Sequence, residues 1–380
     1  MTVRYIRVDP QVNLFAPAVR AFGNIAIVGR VTPPADSPAP PPFDLHVPVA
    51  FTDPGEARHR FPGELGDSIA LAFTQTPGPT LIYGVPVDKT TPNWGDGLKA
   101  VTALNVQLVT LANTPLNPTT IATGGPIHLL VDHVVEVSNT GGDGMERMGV
   151  AMLEKGNTKL TKGDTETSLI LPNERMVYIA HNSDQDAAAA VTGTIAGYRP
   201  HISLLLKPVN IESPNFTPAE IEKINGDTET FESGPTGKGV NWLTSPALIP
   251  GQAVYMGEGY TGDPARKKFI DIVRVVDDVS FRLKAQLIKT IGNIRISRSG
   301  LRALIAQMDA VLTPLVDAEV LDGFEVIVPL LTLLDKDPAT LTAAEAARIN
   351  KAHAERFVPV LVAVQYAGAI HRISITLKFE

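Results

Sequence analysis

Between residues 263 and 380 the apolar positions fall first into a helical and then into a strand spacing. Asp263-Pro264 reads as a helix start, because Asp can cap free backbone N–H groups and Pro fits the first helical position. Phe269, Ile272, Val276, Val279, Leu283, Leu287 and Ile291 then form one apolar stripe, and Gly292-Asn293 provides a stop. A second helix is predicted through Leu301, Leu304, Ile305, Met308 and Leu312, ending near Pro314. Two strand-like runs follow, Phe357–Tyr366 and Ile370–Phe379. In the last run Ile373, Ile375, Leu377 and Phe379 alternate with Ser374, Thr376, Lys378 and Glu380, which makes a strand with one apolar face. Such a segment is either an ordinary sheet member or an arm that completes a sheet in a neighbouring molecule.

The earlier two thirds alternate between the two periods. Thr2–Val8 is β-prone until Asp9-Pro10 breaks it, a short extended arm carrying Val3, Tyr5, Ile6 and Val8. Strands are predicted at Asn24–Gly29, Val47–Phe51, Thr80–Val85, Val106–Leu111, Met148–Leu153 and Met176–Ala180. Helices are predicted at Pro54–Phe61, Asp67–Phe73, Gly97–Leu104, Ile127–Val137 and Asp186–Tyr198. Thr32–Pro42 holds six prolines in eleven residues and reads as a surface loop. Lys207–Pro218, with three prolines, reads as a domain junction; Gly226–Gly239 is turn-rich, and a β region with Trp242 and Val254–Tyr255 leads into the long helix. The alternation predicts an open α/β sheet covered by helices, α+β overall once the helical and stranded last third is added. The expected division is an arm at 1–20, an α/β domain at 21–210 and a second domain at 211–380, with a strand arm at 369–380.

Composition narrows the class. Hydrophobic residues at 44% and charged residues at 19% describe a globular protein, and 380 residues suffice for two or three cores. No apolar run approaches the ~18–20 residues of a spanning helix, and MTVRYIRVDP lacks a signal-peptide core. With no Cys there is no disulfide framework, thiolate metal site or cysteine nucleophile, as expected of a soluble protein made in a reducing cytoplasm. A net charge of −7 argues against nucleic acid as the main partner. Against that background, residues 266–302 carry ten Lys or Arg and three Asp, a local net of about +7. They form either a solvated helix face with internal pairs such as Arg274 with Asp278 and Asp278 with Arg282, or a surface for an acidic partner.

The motifs that would carry chemistry are incomplete. No G-x-G-x-x-G follows a strand, and in Gly234-Pro235-Thr236-Gly237-Lys238-Gly239 a Gly follows Lys where a phosphate loop needs Ser or Thr. Gly66-Asp67-Ser68-Ile69-Ala70 lacks the second Gly of a nucleophile elbow, so Ser68 reads as a helix-start residue. His128 and His133, five apart on a helix, point about 140° apart and cannot share a metal. Asn182-Ser183-Asp184-Gln185-Asp186 lacks the Gly and closing Glu of a calcium loop and reads as a helix cap. The repeat of Gly163–Thr167 at Gly226–Thr230 has unrelated flanks and is local turn chemistry. No catalytic, cofactor-binding or metal residue is assigned.

Several stretches in order resemble the tail sheath proteins of contractile phages and related injection machines. They are Met256-Gly257-Glu258-Gly259-Tyr260-Thr261 before the 266–291 helix, Gly300-Leu301-Arg302-Ala303-Leu304, the strand Gly323-Phe324-Glu325-Val326, and Ala367-Gly368-Ala369-Ile370-His371-Arg372-Ile373-Ser374-Ile375. The chain departs from that pattern at Met256 and Tyr260, where Trp and Arg are usual, and at Gln365 and Ala367, where Pro is common. The resemblance implies an inner domain built from both termini and an outer α/β domain. It implies hexameric rings stacked helically around an inner tail tube, bounded by baseplate and terminator proteins, with terminal strands donated between subunits. Contraction would drive the tube through a target envelope, with genome ejection in a virus, without catalysis, cofactor, nucleic-acid binding or membrane insertion. The location would be a virion tail or an injection particle assembled in the cytoplasm. The inter-subunit strand residues would then be Ile373, Ile375, Leu377, Phe379, Val3, Tyr5, Ile6 and Val8. Arg266, Lys267, Lys268, Arg274, Arg282, Lys284 and Lys289 would be the tube-facing candidates. The other classes open to the sequence are an enzyme on a nucleotide-type α/β fold and another virion structural protein, such as a capsid or tube subunit.

Overall fold

The computed structural model describes residues 21–31, 43–139, 144–160, 168–225, 237–251, 253–263 and 269–371. The arm at 1–20, the proline-rich loop, Arg266, Lys267, Lys268 and the run from Ile373 to Phe379 lie outside the described residues.

The first strand, β1 (Ile25–Val31), is apolar at nearly every position and sits inside a sheet buried on both faces. The chain continues through β2 (Val49–Phe51), α1 (Pro54–Arg60), α2 (Glu64–Phe73), β3 (Ile82–Asp88), α3 (Trp94–Val101), β4 (Leu108–Leu116) and α4 (Pro126–Ser138). It then forms β5 (Met148–Leu153), β6 (Met176–Ala180), α5 (Ala187–Gly197), β7 (Pro208–Val209), α6 (Pro218–Asn225), β8 (Val240–Thr244) and β9 (Val254–Met256). Among the described residues these strands make one sheet in the order β2-β3-β1-β4-β5-β6-β8-β9-β7. The six from β3 to β8 run parallel, and β2, β9 and β7 join antiparallel at the margins.

Side-chain alternation divides the core into two layers. Ile25 and Ile27 of β1, Met148, Val150 and Met152 of β5, and Val177 and Ile179 of β6 face α1, α2 and α5. Ala26, Val28, Ala151, Leu153, Tyr178 and Ala180 face α3, α4 and α6. Each buried Ile, Val, Leu or Met stabilises the fold by ~1.5–3 kcal/mol. Helix α5, AAAAVTGTIAG, is buried on all sides from Ala187 to Ala196, as an all-apolar helix must be. A Cβ on its Gly193 would collide with Ala72 O of α2, so glycine sets how closely these two helices pack.

The predicted α/β class and most element positions are observed, with corrections at several places. The parallel sheet runs on past residue 210, where β8 continues it, with β9 and β7 at its margin. The described residues divide into one unit of Ala21–Asp278 with Gly368–His371, and a second containing Val279–Ala367. Of the three prolines read as a junction, Pro208 is an edge-strand residue and Pro218 a helix start. Helix α2 starts at Glu64 after Gly63, so Ser68 is an interior position.

In the long helix α7 (Ile270–Leu287), Val276 is 57% exposed while Ile270, Val273, Val275 and Val279 are buried. Arg274 and Asp277 occupy buried positions on that helix, which the apolar stripe alone could not reveal. Asp277 accepts two 2.9 Å bonds from the guanidinium of Arg175. The helix stops before Ile291, which is 77% exposed. Last, the helix α8 (Arg298–Asp317) runs one turn past Pro314 and closes with Ala318 N–H on Pro314 O, Val320 N–H on Leu315 O and Glu319 at φ 56°.

The second unit continues with β10 (Leu321–Ile327), α9 (Pro329–Asp335), α10 (Ala343–Glu355) and β11 (Leu361–Tyr366). Helix α10 opens on a capping box, Thr342 with Glu345. Leu301, Val328, Leu330 and Ala352 form a small core. Strands β10 and β11 pair antiparallel from Leu321↔Tyr366 to Ile327↔Leu361.

In the large unit a buried cation closes a corner of the sheet. Arg147, 0% exposed, donates to Met145 O (3.0 Å), Val101 O (2.9 Å), Thr102 O (3.3 Å) and Leu104 O (3.1 Å), gathering the carbonyls at the end of α3. His133 Nε2 lies 3.3 Å from its Nη1. Burial, and then the charge of Arg147, push His133 down from 6.5 to about 4. The unfolded chain therefore binds a proton in this window that the folded chain refuses. Stability should be complete above about pH 6.5 and fall by up to ~1.4 kcal/mol per unit on acidification toward pH 4. His181, also pushed down by burial, adds the same sign. Urea unfolding across this range should show the slope, and His133→Gln should flatten it. Arg147→Met should lose ~3 kcal/mol or more, because several carbonyls lose their donor at once.

Candidate assembly site

The residues that hinted at chemistry are committed to structure. Asp186 Oδ1 caps α5 through Ala189 N (2.9 Å), while Oδ2 accepts from Ser68 Oγ (2.6 Å) and Asn113 N (2.7 Å). One carboxylate therefore starts α5, ties it to α2 and holds the β4 backbone where Asn113 turns to φ 43°. The Ser68 hydroxyl donates directly to an acid with no histidine between them, so the arrangement activates no nucleophile. His128 pairs with Asp132 (2.9 Å) and His133 with Arg147, two separate neighbourhoods. No group of three His, Cys, Asp or Glu among the described residues could hold a metal. A cleft of about 1120 Å³ beside α2 and the start of α5 is lined by Glu64, Asp67, Asp184, Asp186 and Glu212 as well as Arg58, which pairs with Asp67 at 3.1 Å.

The basic stretch separates into different environments. Arg274 is buried, its Nη2 donating to Phe22 O (3.1 Å) and Tyr198 O (2.8 Å). Burial lowers it to about 10, opposed by Asp271, Asp278 and Asp277, so it stays charged at neutral pH. It is an interior clamp in this structure and presents no charge to a partner. Arg282 and Lys284 are half-buried on α7, and Lys289 beyond it is exposed.

A different feature, in the second unit, has the geometry of an assembly surface. Among the described residues β10 and β11 pair with each other and with no third strand, so each presents an outer row of backbone groups. Two strands alone are marginal, and open edges invite further pairing. Leu361 and Val364 of β11 are 58% and 39% exposed, and Phe357 just before it is 63% exposed. Beside them a groove of about 640 Å³ is lined by Ile327, Leu330, Leu333, Ala352 and Phe357. The sequence had marked both strands but not their isolation, which depends on where the other strands go.

No protein-family model and no curated protein sequence matches the chain. Solved structures do. The fold is similar to that of a chain in the cryo-EM structure of the anti-feeding prophage helical sheath in the contracted state, with a TM-score of 0.66 at 15% identity. The match covers 100% of this chain and 99% of the other. This chain has the contractile-sheath fold. Chains in the sixfold-symmetrised baseplate of the same particle (TM-score 0.65, 13% identity) and in its contracted baseplate (0.59, 12%) match over the same extents. At these identities the sheath fold is shared while most side chains differ, so the Asp186 and Arg147 clamps must be judged on their own geometry.

If Asp186 is a structural tie, Asp186→Ala should cost ~2–4 kcal/mol, from a lost cap and two orphaned donors. Ser68→Ala should cost ~1 kcal/mol, and the double variant should cost less than the sum, since both act through one bond. Urea midpoints of the four proteins check this.

Proposed function

We propose that this chain is a structural subunit of a contractile sheath, polymerising around an inner tube and shortening to drive that tube through a target envelope. The observation that carries the reading is the fold similarity to a helical sheath over 100% of this chain and 99% of the other, joined to a sheet that has two strands among the described residues. Hexameric rings, with the run Ile373–Phe379 and the segment Val3–Val8 pairing on neighbouring subunits, follow as the assembly mode. Baseplate and terminator proteins would bound the polymer, in a viral tail or an injection particle. Nothing in this role needs an active site: a metastable array relaxes into a lower-energy one. Ser68 and Asp186, engaged with each other and with backbone, support a non-enzymatic reading.

Four apolar side chains at 373, 375, 377 and 379, buried at ~1.5–3 kcal/mol each, give roughly 6–12 kcal/mol gross per donated strand. Ordering the segment and losing free rotation consume much of that, so a single junction is modest and a lattice of them robust. Negative-stain microscopy of the purified protein should show hollow striated cylinders. Removing residues 372–380 should leave a folded monomer that forms none. Cylinders of normal length from the shortened chain would end the strand-donation reading, and unfolding would place the strand in its own subunit.

With Arg274 buried, the tube-facing set is reduced to Arg266, Lys267, Lys268, Arg282, Lys284 and Lys289. Exposed pairs are worth ~0–1 kcal/mol each, which suits a surface that must release. Reversing two or three of these charges should block assembly on an acidic tube while sparing tube-free polymers. Co-sedimentation at low and high salt checks this; indifference to both charge and salt would refute the tube-docking role.

A further inference from the structure

Strand donation requires each donated segment to leave the body at a fixed place, and the described residues hold both departure points on one short loop. After α5 ends, the chain runs through Tyr198 to Ser203. On one side, Arg274 Nη2 bridges Tyr198 O (2.8 Å) and Phe22 O (3.1 Å). The neighbouring Gly23 lies so close to Ala196 O of α5 that a Cβ would collide with it. Asn24 is then held by Gln107 Oε1 on its N–H (3.0 Å) and by Asn105 O on its side chain (3.0 Å). Residues 22–24 are thus fastened at successive positions shortly after the segment 1–20.

On the other side sits His371, the last described residue before 372–380. Its Nδ1 lies 3.2 Å from Glu258 Oε2 and its Nε2 lies 2.8 Å from Ser203 Oγ. Ser203 Oγ accepts from Leu205 N–H (3.3 Å), leaving its own proton for His371. The imidazole also meets Phe269 edge-on, with ring centroids 4.7 Å apart. The His371 and Glu258 side chains are 14% and 8% exposed, so this is an interior seat rather than a surface pair. An ordinary chain terminus is not held this way.

We infer that Arg274 and His371 are paired positioning residues that fasten the roots of the two terminal segments to the 198–203 loop and so set where both strands leave the subunit. The inference rests on the strand-donation reading for its purpose but not for its geometry. A polar clamp suits such a root, since it fixes direction without placing an apolar patch where a neighbour must pair.

The test uses the full chain with His371→Phe, which keeps the ring beside Phe269 but loses both polar contacts, Arg274→Lys, which keeps the charge but not the two-carbonyl bridge, and Ser203→Ala. Three quantities are read: the melting temperature, the critical concentration for polymerisation, and the rate of tryptic cleavage after Arg20 and Arg372. Each substitution should raise the critical concentration and the cleavage rate at its own root by about three- to tenfold while the other root is cleaved as in the parent, a root-specific change that the general fall in melting temperature from a lost buried hydrogen bond would not produce. Ser203→Ala serves where either larger change unfolds the body. A chain shortened to His371 separates the two ideas. If it still polymerises, strand donation is wrong and the cleavage rates alone judge the anchors. If it does not, while the substituted chains polymerise and resist trypsin like the parent, the anchors are wrong and strand donation stands.

Discussion

Six parallel strands side by side leave no face for water, and that requirement shapes the large unit. Each face must be roofed by helices, and each helix must present enough apolar surface to be a roof. The roof over β1, β4 and β5 is closest where α5 is almost wholly Ala, Val, Thr and Gly, because small side chains let it lie inside the layer. The polar groups that such a roof traps are met by buried cations and one carboxylate. Arg147 gathers carbonyls at the end of α3, Arg274 bridges two more, and Asp186 closes the start of α5. These groups are few, and each serves several backbone positions at once.

The sequence was a good guide wherever a local rule had no competitor. Strands buried on both faces read as short apolar runs bounded by turn residues, so β1, β5 and β6 were found within a residue or two. Asp186 was legible as a cap because a cap is satisfied within three residues. The boundary near 210 was not, since a proline at an edge strand and a proline at a helix start look alike in one dimension. Nor was the buried face of α7: Arg274 and Asp277 are charged, and their partners at Tyr198, Phe22 and Arg175 are distant in sequence. The small sheet was half legible, its strands visible and their pairing not, because which strands meet is a property of the whole topology. The start of α10 is legible in the sequence as Thr342 followed three residues later by Glu345, the capping-box spacing.

The described residues divide between material that resists deformation and material that offers contacts. The large unit ties its elements together across long sequence separations, as in Ser68 with Asp186 and Arg175 with Asp277. The second unit has a small core around Leu301 and Leu330 and, among its described residues, a ribbon of two strands. A subunit that turns within an array without unfolding needs the first property, and one that stays joined to its neighbours needs the second. Local stability is uneven in proteins for this reason.

The ends of the large sheet carry a further consequence. One is β2, three residues long, and the other is β7, two residues beginning with a proline that has no N–H to offer. Neither gives an incoming strand more than a bond or two, so the most extensive hydrogen-bonding surface of the molecule is closed to strangers. A protein made in many copies side by side runs a constant risk of joining itself wrongly into tangles. In the proposed polymer, the blunt ends of the wide sheet would keep crowded copies from joining through it, and crowding would then favour order over aggregation.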